Sequence, residues 1–146
     1  KDFPTITPLD WSDLDSRTTT SYGHDLAALL SLQKTMKEEN LLYTPSVTLG
    51  QASTVDFADP NPKTNMNPAA WEITGSSQPR LLLLRDSFSG GLLPFLRQNF
   101  SRTASVWTYA ALPDILKAEH PDIVVLEVVQ RKLAPALLYT KLDGSK

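Results

Sequence analysis

The sequence predicts an α/β fold built on a parallel sheet. Three apolar runs, 80–84 (RLLLL), 105–109 (SVWTY) and 122–129 (DIVVLEVV), are separated by two segments with helical signals. Such runs are typical of strands buried on both faces, and their alternation with helices favours right-handed crossovers between parallel strands. The second half of the chain is therefore predicted to be a βαβαβ unit whose three strands are neighbours.

The composition is that of an ordinary globular protein. The chain has 146 residues, of which 41% are hydrophobic and 21% charged, and these values fit one domain or part of one. A formal net charge of −2 argues against nucleic acid or an anionic membrane as a partner bound by bulk charge. The lack of cysteine excludes disulfides, thiolate metal sites and a cysteine nucleophile. The sequence predicts neither a metal site nor a cofactor.

The first 79 residues are less regular. Residues 1–21 contain prolines and a polar run, which predict a loop. Leucines at helical spacing predict a helix over 25–37, and residues 43–49 form a possible short strand that Pro45 confines to a sheet edge. Residues 50–79 are rich in Pro, Gly, Asn and Ser, so we expect a long irregular segment.

The elements after residue 79 follow a clearer pattern. The first strand leads into a turn over 85–91, and a helix is predicted over 92–100, with Pro94 tolerated in its first turn. A second helix over 113–119 opens with Pro and Asp. A last helix is predicted over 133–142.

The turn after the first strand carries the candidate site. In an open parallel sheet, ligands bind outside the carboxyl ends of the strands, where Asp86, Ser87 and Ser89 lie. Backbone N–H groups at the start of the following helix could stabilise an oxyanion, and Gly90 and Gly91 let the backbone approach a substrate. Ser87 is therefore a candidate nucleophile for acyl transfer. The alternative is that Asp86, Ser87 and Ser89 only cap the helix.

A nucleophilic serine requires a base, which is usually histidine. The chain contains two histidines. His120 lies in the turn that enters the third strand, so topology predicts it at the end of the sheet opposite Ser87. His24 precedes the predicted helix and either caps it or approaches the site. Neither histidine is a convincing base for Ser87.

Two charged residues lie at the end of the third strand, on the side of the sheet where Ser87 is predicted. Glu127 and Arg131 either form an ion pair that fixes the end of the strand or orient a polar substrate. Both interpretations stay open at this point.

Several segments of the second half resemble one known group of proteins. They are 81–88, 93–96, 100–102, Trp107, 121–127 and 131–133. The first resembles the nucleophile block, and the last two resemble the following strand and the Glu…Arg-x-Leu ending, of the SGNH-like alginate O-acetyltransferase group (AlgX/AlgJ-like). Residues 23–27 are similar to the Gly-Asp-Leu-Ala helix start of that group. The resemblance is strong over 79–133 and weak over 1–78.

The resemblance implies a flavodoxin-like, SGNH-like three-layer architecture that is part of a larger domain. Residues 1–146 would be a single domain fragment, with a helix and an irregular segment in 1–78 and the nucleophile half in 79–133. The group implies transfer of acetyl groups from an acyl donor to exopolysaccharide hydroxyls in the periplasm or cell envelope, in an envelope biosynthesis complex. It implies no cofactor.

The same resemblance assigns roles to residues and raises a question. Ser87 matches the nucleophile, Asp86, Ser89 and Gly90 would support the turn or the oxyanion, and Arg85 replaces the Gly of the group's Gly-Asp-Ser pattern. The group's Asp-x-His-Trp block, which supplies acid and base, precedes the serine, and no Asp-x-His occurs here. We expect that this block has been cut off upstream of Lys1 and that the chain is inactive alone. The alternative is a non-catalytic polysaccharide-binding or assembly domain that retains the fold.

Overall fold

The computed structural model describes residues 9–22, 27, 29–32, 34–46, 52–58, 67–109 and 113–133. These residues divide into two compact units. Leu9–Val47 forms the first, which we call the hairpin unit, and the described residues from 52 onward form the second, which we call the sheet unit.

The hairpin unit consists of a long antiparallel pair of strands. A 3₁₀ helix, Trp11–Asp13, leads into β1 (Leu14–Tyr22), which pairs along its full length with β2 (Lys37–Pro45). The Asp10 carboxylate caps the 3₁₀ helix through the Trp11 amide, at 2.6 Å. The loop predicted for residues 1–21 is therefore wrong over β1. Of the possible strand at 43–49, residues 43–45 belong to a strand that begins at Lys37, and residues 47–49 lie outside the described residues.

The helix predicted over 25–37 is largely wrong. Ala27 and Leu29 are helical, but Ser31 has a left-handed φ of 58° and Lys37 already begins β2. Leu29 and Leu30 are 81% and 59% exposed, so the helical spacing does not bring these two leucines into a core. Because Lys37 pairs with Tyr22, the chain must reverse direction before Lys37, which overrides the helical pattern over 25–37.

The sheet unit contains a mixed five-stranded sheet in the order β3-β4-β6-β5-β7. Its strands are β3 (Ser53–Val55), β4 (Ala69–Glu72), β5 (Arg80–Arg85), β6 (Arg102–Trp107) and β7 (Ile123–Leu126). β5 lies between β6 and β7 and runs parallel to both, whereas β4 is antiparallel to β6 and β3 is antiparallel to β4. The α/β class and the three parallel strands are confirmed. A wholly parallel sheet is wrong, because the segment 50–79, predicted to be irregular, supplies two antiparallel strands.

The helices of the sheet unit are short. A 3₁₀ helix, Phe88–Gly91, precedes α1 (Leu93–Leu96), and α2 spans Pro113–Glu119 as predicted. The helix predicted over 92–100 is thus reduced to α1 and the turns after it, with Pro94 in its first turn. Beyond Leu133, the predicted last helix lies outside the described residues. Within the described ranges, no helix is long and apolar enough to cross a membrane.

β5 is the centre of the core. Leu81, Leu82, Leu83 and Leu84 are each at most 2% exposed, as the run of leucines predicts for a strand buried on both faces. On one face, side chains of β5, β6 and α2 form a single apolar cluster. Its members are Leu82, Leu84, Ala104, Val106 and Ile115, with Phe57 and Leu116 packed against them. This cluster fixes the end of β5 from which the candidate site projects.

β7 differs from the prediction of a third buried strand. Val124, Val125 and Leu126 are 46%, 41% and 37% exposed. β7 is at the edge of the sheet, and among the described residues no strand pairs with its outer side. Its apolar sequence is that of an internal strand, but its position here leaves it exposed.

A buried ion pair lies at the end of the sheet where β5 and β6 begin. Arg102 donates to both carboxylate oxygens of Glu119, through Nε at 2.7 Å and Nη2 at 3.0 Å, and also reaches Glu72 Oε2 at 3.2 Å. The Ala58 amide donates to Glu119 Oε1 at 3.0 Å. Burial alone would raise the pKa of Glu119, but the bonds from Arg102 and Ala58 lower it below its ordinary value. The hydrogen bonds with Glu119 raise the pKa of Arg102 despite its burial.

Candidate functional site

Ser87 stands at the carboxyl end of β5 with its side chain exposed. We call residues 86–91 the Ser87 turn. Ser87 precedes the 3₁₀ helix Phe88–Gly91 with φ −71° and ψ −21°, and its hydroxyl makes no capping hydrogen bond. Ser89 is fully buried, and its Oγ donates to the Asp86 carbonyl at 3.1 Å. The two serines of the turn therefore differ: Ser89 ties the turn together, and Ser87 presents its hydroxyl to solvent.

The capping role in this turn belongs to Asp86. Its Oδ1 accepts a hydrogen bond from the Phe88 amide at 2.8 Å. Its Oδ2 accepts from the Val129 amide at 3.0 Å and from the Tyr109 hydroxyl at 3.2 Å. The Asp86 side chain thus joins the segments that follow β5, β6 and β7.

The surroundings of Asp86 favour the ionised form of its carboxyl group. The residue is only 3% exposed, and such burial by itself raises the pKa. The hydrogen bonds from the Phe88 and Val129 amides, the interaction with the Glu127 carboxyl group and the bond from Tyr109 act in the opposite sense, and the pKa of Asp86 is lowered below its ordinary value. The residue before Ser87 therefore carries a carboxyl group whose negative form is stabilised by its neighbours.

Arg85 occupies the position that is glycine in the Gly-Asp-Ser pattern, and its contacts show how the turn accommodates this larger side chain. Its guanidinium is buried and runs along the sheet, where Nε donates to Ser105 Oγ at 2.6 Å. Nη1 donates to the Asp86 carbonyl at 3.1 Å, and the guanidinium carbon lies 5.7 Å from the centre of the Trp107 ring. The Arg85 guanidinium thus links the Asp86 carbonyl, at the start of the turn, to Ser105 of β6.

Glu127 contacts the turn directly. Its Oε2 accepts from the Asp86 amide at 3.0 Å, and its own amide donates to the Leu84 carbonyl at 2.8 Å. Arg131 lies in the 3₁₀ helix Gln130–Lys132, but its side chain is outside the described part of the structure. The Glu127–Arg131 ion pair and the orientation of substrate by these residues both stay predictions.

The backbone amides of the Ser87 turn are not all available to an oxyanion. The Phe88 amide binds Asp86, and the Gly90 amide donates to the Ser87 carbonyl at 3.4 Å. The Ser87 amide has no acceptor among the described residues. A Cβ added at Gly90 or Gly91 would meet nothing within 4 Å, so open space surrounds this side of the turn. The Ser87 amide is therefore the candidate donor to an oxyanion.

His120, the histidine within the described residues, lies far from the Ser87 turn in the sheet topology. His120 precedes β7, next to Glu119, whose carbonyl accepts from the Arg80 guanidinium at the start of β5. It therefore lies at the opposite end of the parallel strands from Ser87, as predicted. His24 falls outside the described residues. The described ranges contain no group of three or more His, Asp or Glu residues arranged to hold a metal ion.

Sequence reasoning missed two partners of Asp86. Tyr109 follows β6 and Val129 follows β7, and both meet Asp86 at the carboxyl ends of the parallel strands. The rule that polar residues after such strands converge could have pointed to Tyr109. Val129 contributes its backbone amide, which leaves no signal in the side-chain sequence.

Comparisons with known proteins find the same fold at low sequence identity. No family model matches the chain, and no curated protein matches its sequence. Bacillus cereus PatB1 with a sulfonyl adduct is similar with a TM-score of 0.64 and 14% identity, over 91% of this chain and 52% of that one. A DHHW family protein from Eubacterium siraeum is similar with a TM-score of 0.59 and 14% identity, over 84% and 50%. The chain thus spans about half the length of these structures, with which it shares an α/β fold.

Proposed function

We propose that this chain is the serine-bearing part of an SGNH-type O-acetyltransferase that acylates polysaccharide hydroxyls. The observation that carries the proposal is the contrast within the Ser87 turn. Ser87 exposes a hydroxyl without a capping partner at the carboxyl end of a buried parallel strand, while Asp86 and Ser89 are buried and fully engaged. A hydroxyl in that place suits attack on an incoming acyl group.

In the proposed reaction, Ser87 Oγ forms a bond to the carbonyl carbon of an acetyl donor. The bond between that carbon and the donor's leaving group breaks, and the leaving group departs with the electron pair. The Ser87 amide, which has no acceptor among the described residues, stabilises the oxyanion of the tetrahedral intermediate. A base takes the Ser87 proton and passes it to the leaving group. A sugar hydroxyl then forms a bond to the acetyl carbon and gives its proton to the same base, the bond between that carbon and Ser87 Oγ breaks with its electron pair on Oγ, and the base returns the proton to Ser87.

The base that takes the Ser87 proton is proposed to come from an Asp-x-His block outside residues 1–146, as the resembled group implies. Among the described residues, the histidine at the opposite end of the strands cannot serve. The envelope location and an envelope biosynthesis complex rest on the same resemblance.

Exposed aromatic rings support a sugar as the acyl acceptor. Phe88, within the Ser87 turn, is 60% exposed, and Trp107, at the carboxyl end of β6, is 45% exposed. Aromatic rings supply large contact areas, and a contiguous exposed apolar patch can mark a binding surface. The apolar face of a sugar ring can stack on such a ring while its hydroxyls remain in water.

A second candidate function is non-catalytic polysaccharide binding or assembly. It is favoured by the lack of a histidine near Ser87 among the described residues. In that case the Ser87 turn and the exposed rings would bind the polymer without transferring an acyl group.

Acetyl transfer by the full-length protein that contains this chain distinguishes the two functions. Ser87→Ala should reduce transfer by several orders of magnitude, because no neighbouring group replaces the attacking oxygen. Its melting temperature should hardly change, since an exposed hydroxyl is removed without leaving a cavity. Ser89→Ala is the comparison: it removes the bond from Ser89 Oγ to the Asp86 carbonyl but leaves the Ser87 hydroxyl, so it should slow transfer far less than Ser87→Ala does. Equal activity of Ser87→Ala and wild type would favour the binding function.

A further inference from the structure

The Asp86 side chain is the most completely bonded polar group near Ser87, and the proposed acyl transfer gives it no chemical step. Its two carboxylate oxygens accept three hydrogen bonds, from the Phe88 amide, the Val129 amide and the Tyr109 hydroxyl. Each donor follows a different strand: Phe88 follows β5, Tyr109 follows β6 and Val129 follows β7. One buried group therefore ties together the carboxyl ends of all three parallel strands.

The backbone of Asp86 is held as firmly as its side chain. Its amide donates to Glu127 Oε2 at 3.0 Å, and its carbonyl accepts from Arg85 Nη1 and Ser89 Oγ, each at 3.1 Å. Ser87, the next residue, has no side-chain cap of its own. Among the described residues its only hydrogen bond is the long one that its carbonyl accepts from the Gly90 amide, at 3.4 Å, so the position of the Ser87 hydroxyl depends chiefly on its neighbour Asp86.

We infer that Asp86 is a positioning residue, whose carboxylate fixes the Ser87 turn relative to the segments after β6 and β7. The inference deepens the proposed function and rests on it for its catalytic consequence. A nucleophile displaced by about 1 Å can lose about two orders of magnitude in rate, so a turn that holds Ser87 rigidly in place raises the rate of acyl transfer. The charge of Asp86 strengthens each of the three bonds, because hydrogen bonds to an ionised acceptor are stronger than neutral ones.

Asparagine is the informative substitution at Asp86. It preserves the shape of the side chain, but its amide group is a donor, which faces the N–H groups of Phe88 or Val129 and cannot accept from them. Tyr109→Phe is a milder change that removes one of the three bonds and leaves the carboxylate. Glu72→Gln is the matched control, since it also neutralises a carboxylate, but in the contact with Arg102 at the opposite end of the strands, where the 45% exposed side chain makes a large loss of stability unexpected.

Amide hydrogen exchange of the 146-residue chain tests the positioning. In Asp86→Asn, peptides covering 86–91 and 127–133 should exchange about tenfold faster or more, because the bonds that protect their amides are lost. Tyr109→Phe should accelerate the same peptides by a smaller factor, and it remains informative if Asp86→Asn does not fold. Glu72→Gln should leave these peptides close to the wild-type rate. Wild-type exchange in Asp86→Asn or Tyr109→Phe, or equal acceleration in Glu72→Gln, would overturn the inference.

Labelling of Ser87 by phenylmethylsulfonyl fluoride in the full-length protein tests the catalytic consequence. Asp86→Asn should lower the limiting labelling rate about tenfold or more without changing the half-saturating reagent concentration, since the nucleophile and not the reagent site is disturbed. Glu72→Gln should change neither value. An unchanged limiting rate in Asp86→Asn would refute the catalytic consequence. If wild-type Ser87 is not labelled at all, the proposed function fails, and the exchange experiment still decides the positioning by Asp86.

Discussion

Removing the charge of Glu119 is expected to destabilise the sheet unit strongly. Glu119 is 2% exposed, and its carboxylate accepts two hydrogen bonds from Arg102 and one from the Ala58 amide. Breaking a buried ion pair by removing one partner costs about 3–5 kcal/mol, because the other charge is left without compensation. Arg102 would keep Glu72 at 3.2 Å and the Asp56 carbonyl at 2.9 Å. We therefore expect Glu119→Gln to fall at the lower end, about 3 kcal/mol.

Urea denaturation of the chain measures this loss directly. The control is Glu72→Gln, which removes the other carboxylate on Arg102. The Glu72 side chain is 45% exposed, so solvent screens its interaction and the loss should stay within about 1 kcal/mol. The reasoning would be refuted if Glu119→Gln lay within about 1 kcal/mol of wild type, or if the two variants were equally destabilised.

Three further predictions follow from the same structure. The 146-residue chain alone should hydrolyse 4-nitrophenyl acetate no faster than its Ser87→Ala variant, because no histidine lies near Ser87 among the described residues. Turnover that Ser87→Ala abolishes would contradict this prediction and would make His24 the candidate base. Under the proposed polysaccharide function, with soluble alginate as the probe, Trp107→Ala should weaken binding by about tenfold. The control Trp11→Ala, in the hairpin unit and 75% exposed, should not weaken it. Equal binding by both variants would exclude Trp107 as a sugar-stacking residue. The pKa of Glu119 is lowered from its ordinary 4.5, so its contribution to stability is present above pH 4.5 and is lost as the pH falls through the folded-state pKa. Glu119→Gln should therefore lose less stability than wild type on acidification. Parallel losses of stability in the two proteins would contradict the lowered pKa of Glu119.

The strongest local patterns predicted their elements correctly. Four consecutive leucines predict β5 as a strand buried on both faces, and the Pro-Asp start predicts α2 with the observed bounds. Both signals depend on residues within one element. The placement of Ser87 at the carboxyl end of β5 follows from the same local pattern.

Elements that depend on pairing were missed. β1 and β2 have no strong strand pattern of their own, and the leucines before β2 mimic a helix, so only the pairing of the two strands reveals the hairpin. β7 has the sequence of an internal strand but lies at the edge of the sheet, which no periodicity can show.

The support of Ser87 was predictable only in part. Asp86 is recognised beside the serine, but its partners Tyr109 and Val129 are 23 and 43 residues away. Their convergence depends on the order β6-β5-β7 in the sheet. The sequence could therefore identify the turn but not the bonds that hold it.

Covalent labelling of the full-length protein tests the central claim most directly. A sulfonyl fluoride is a suitable probe because it reacts with an activated serine hydroxyl. After incubation with phenylmethylsulfonyl fluoride, peptide mass spectrometry should locate one adduct on Ser87, and Ser87→Ala should abolish it while Ser89→Ala retains it. An adduct that persists in Ser87→Ala, or one that maps to Ser89, would contradict the assignment of Ser87 as the nucleophile.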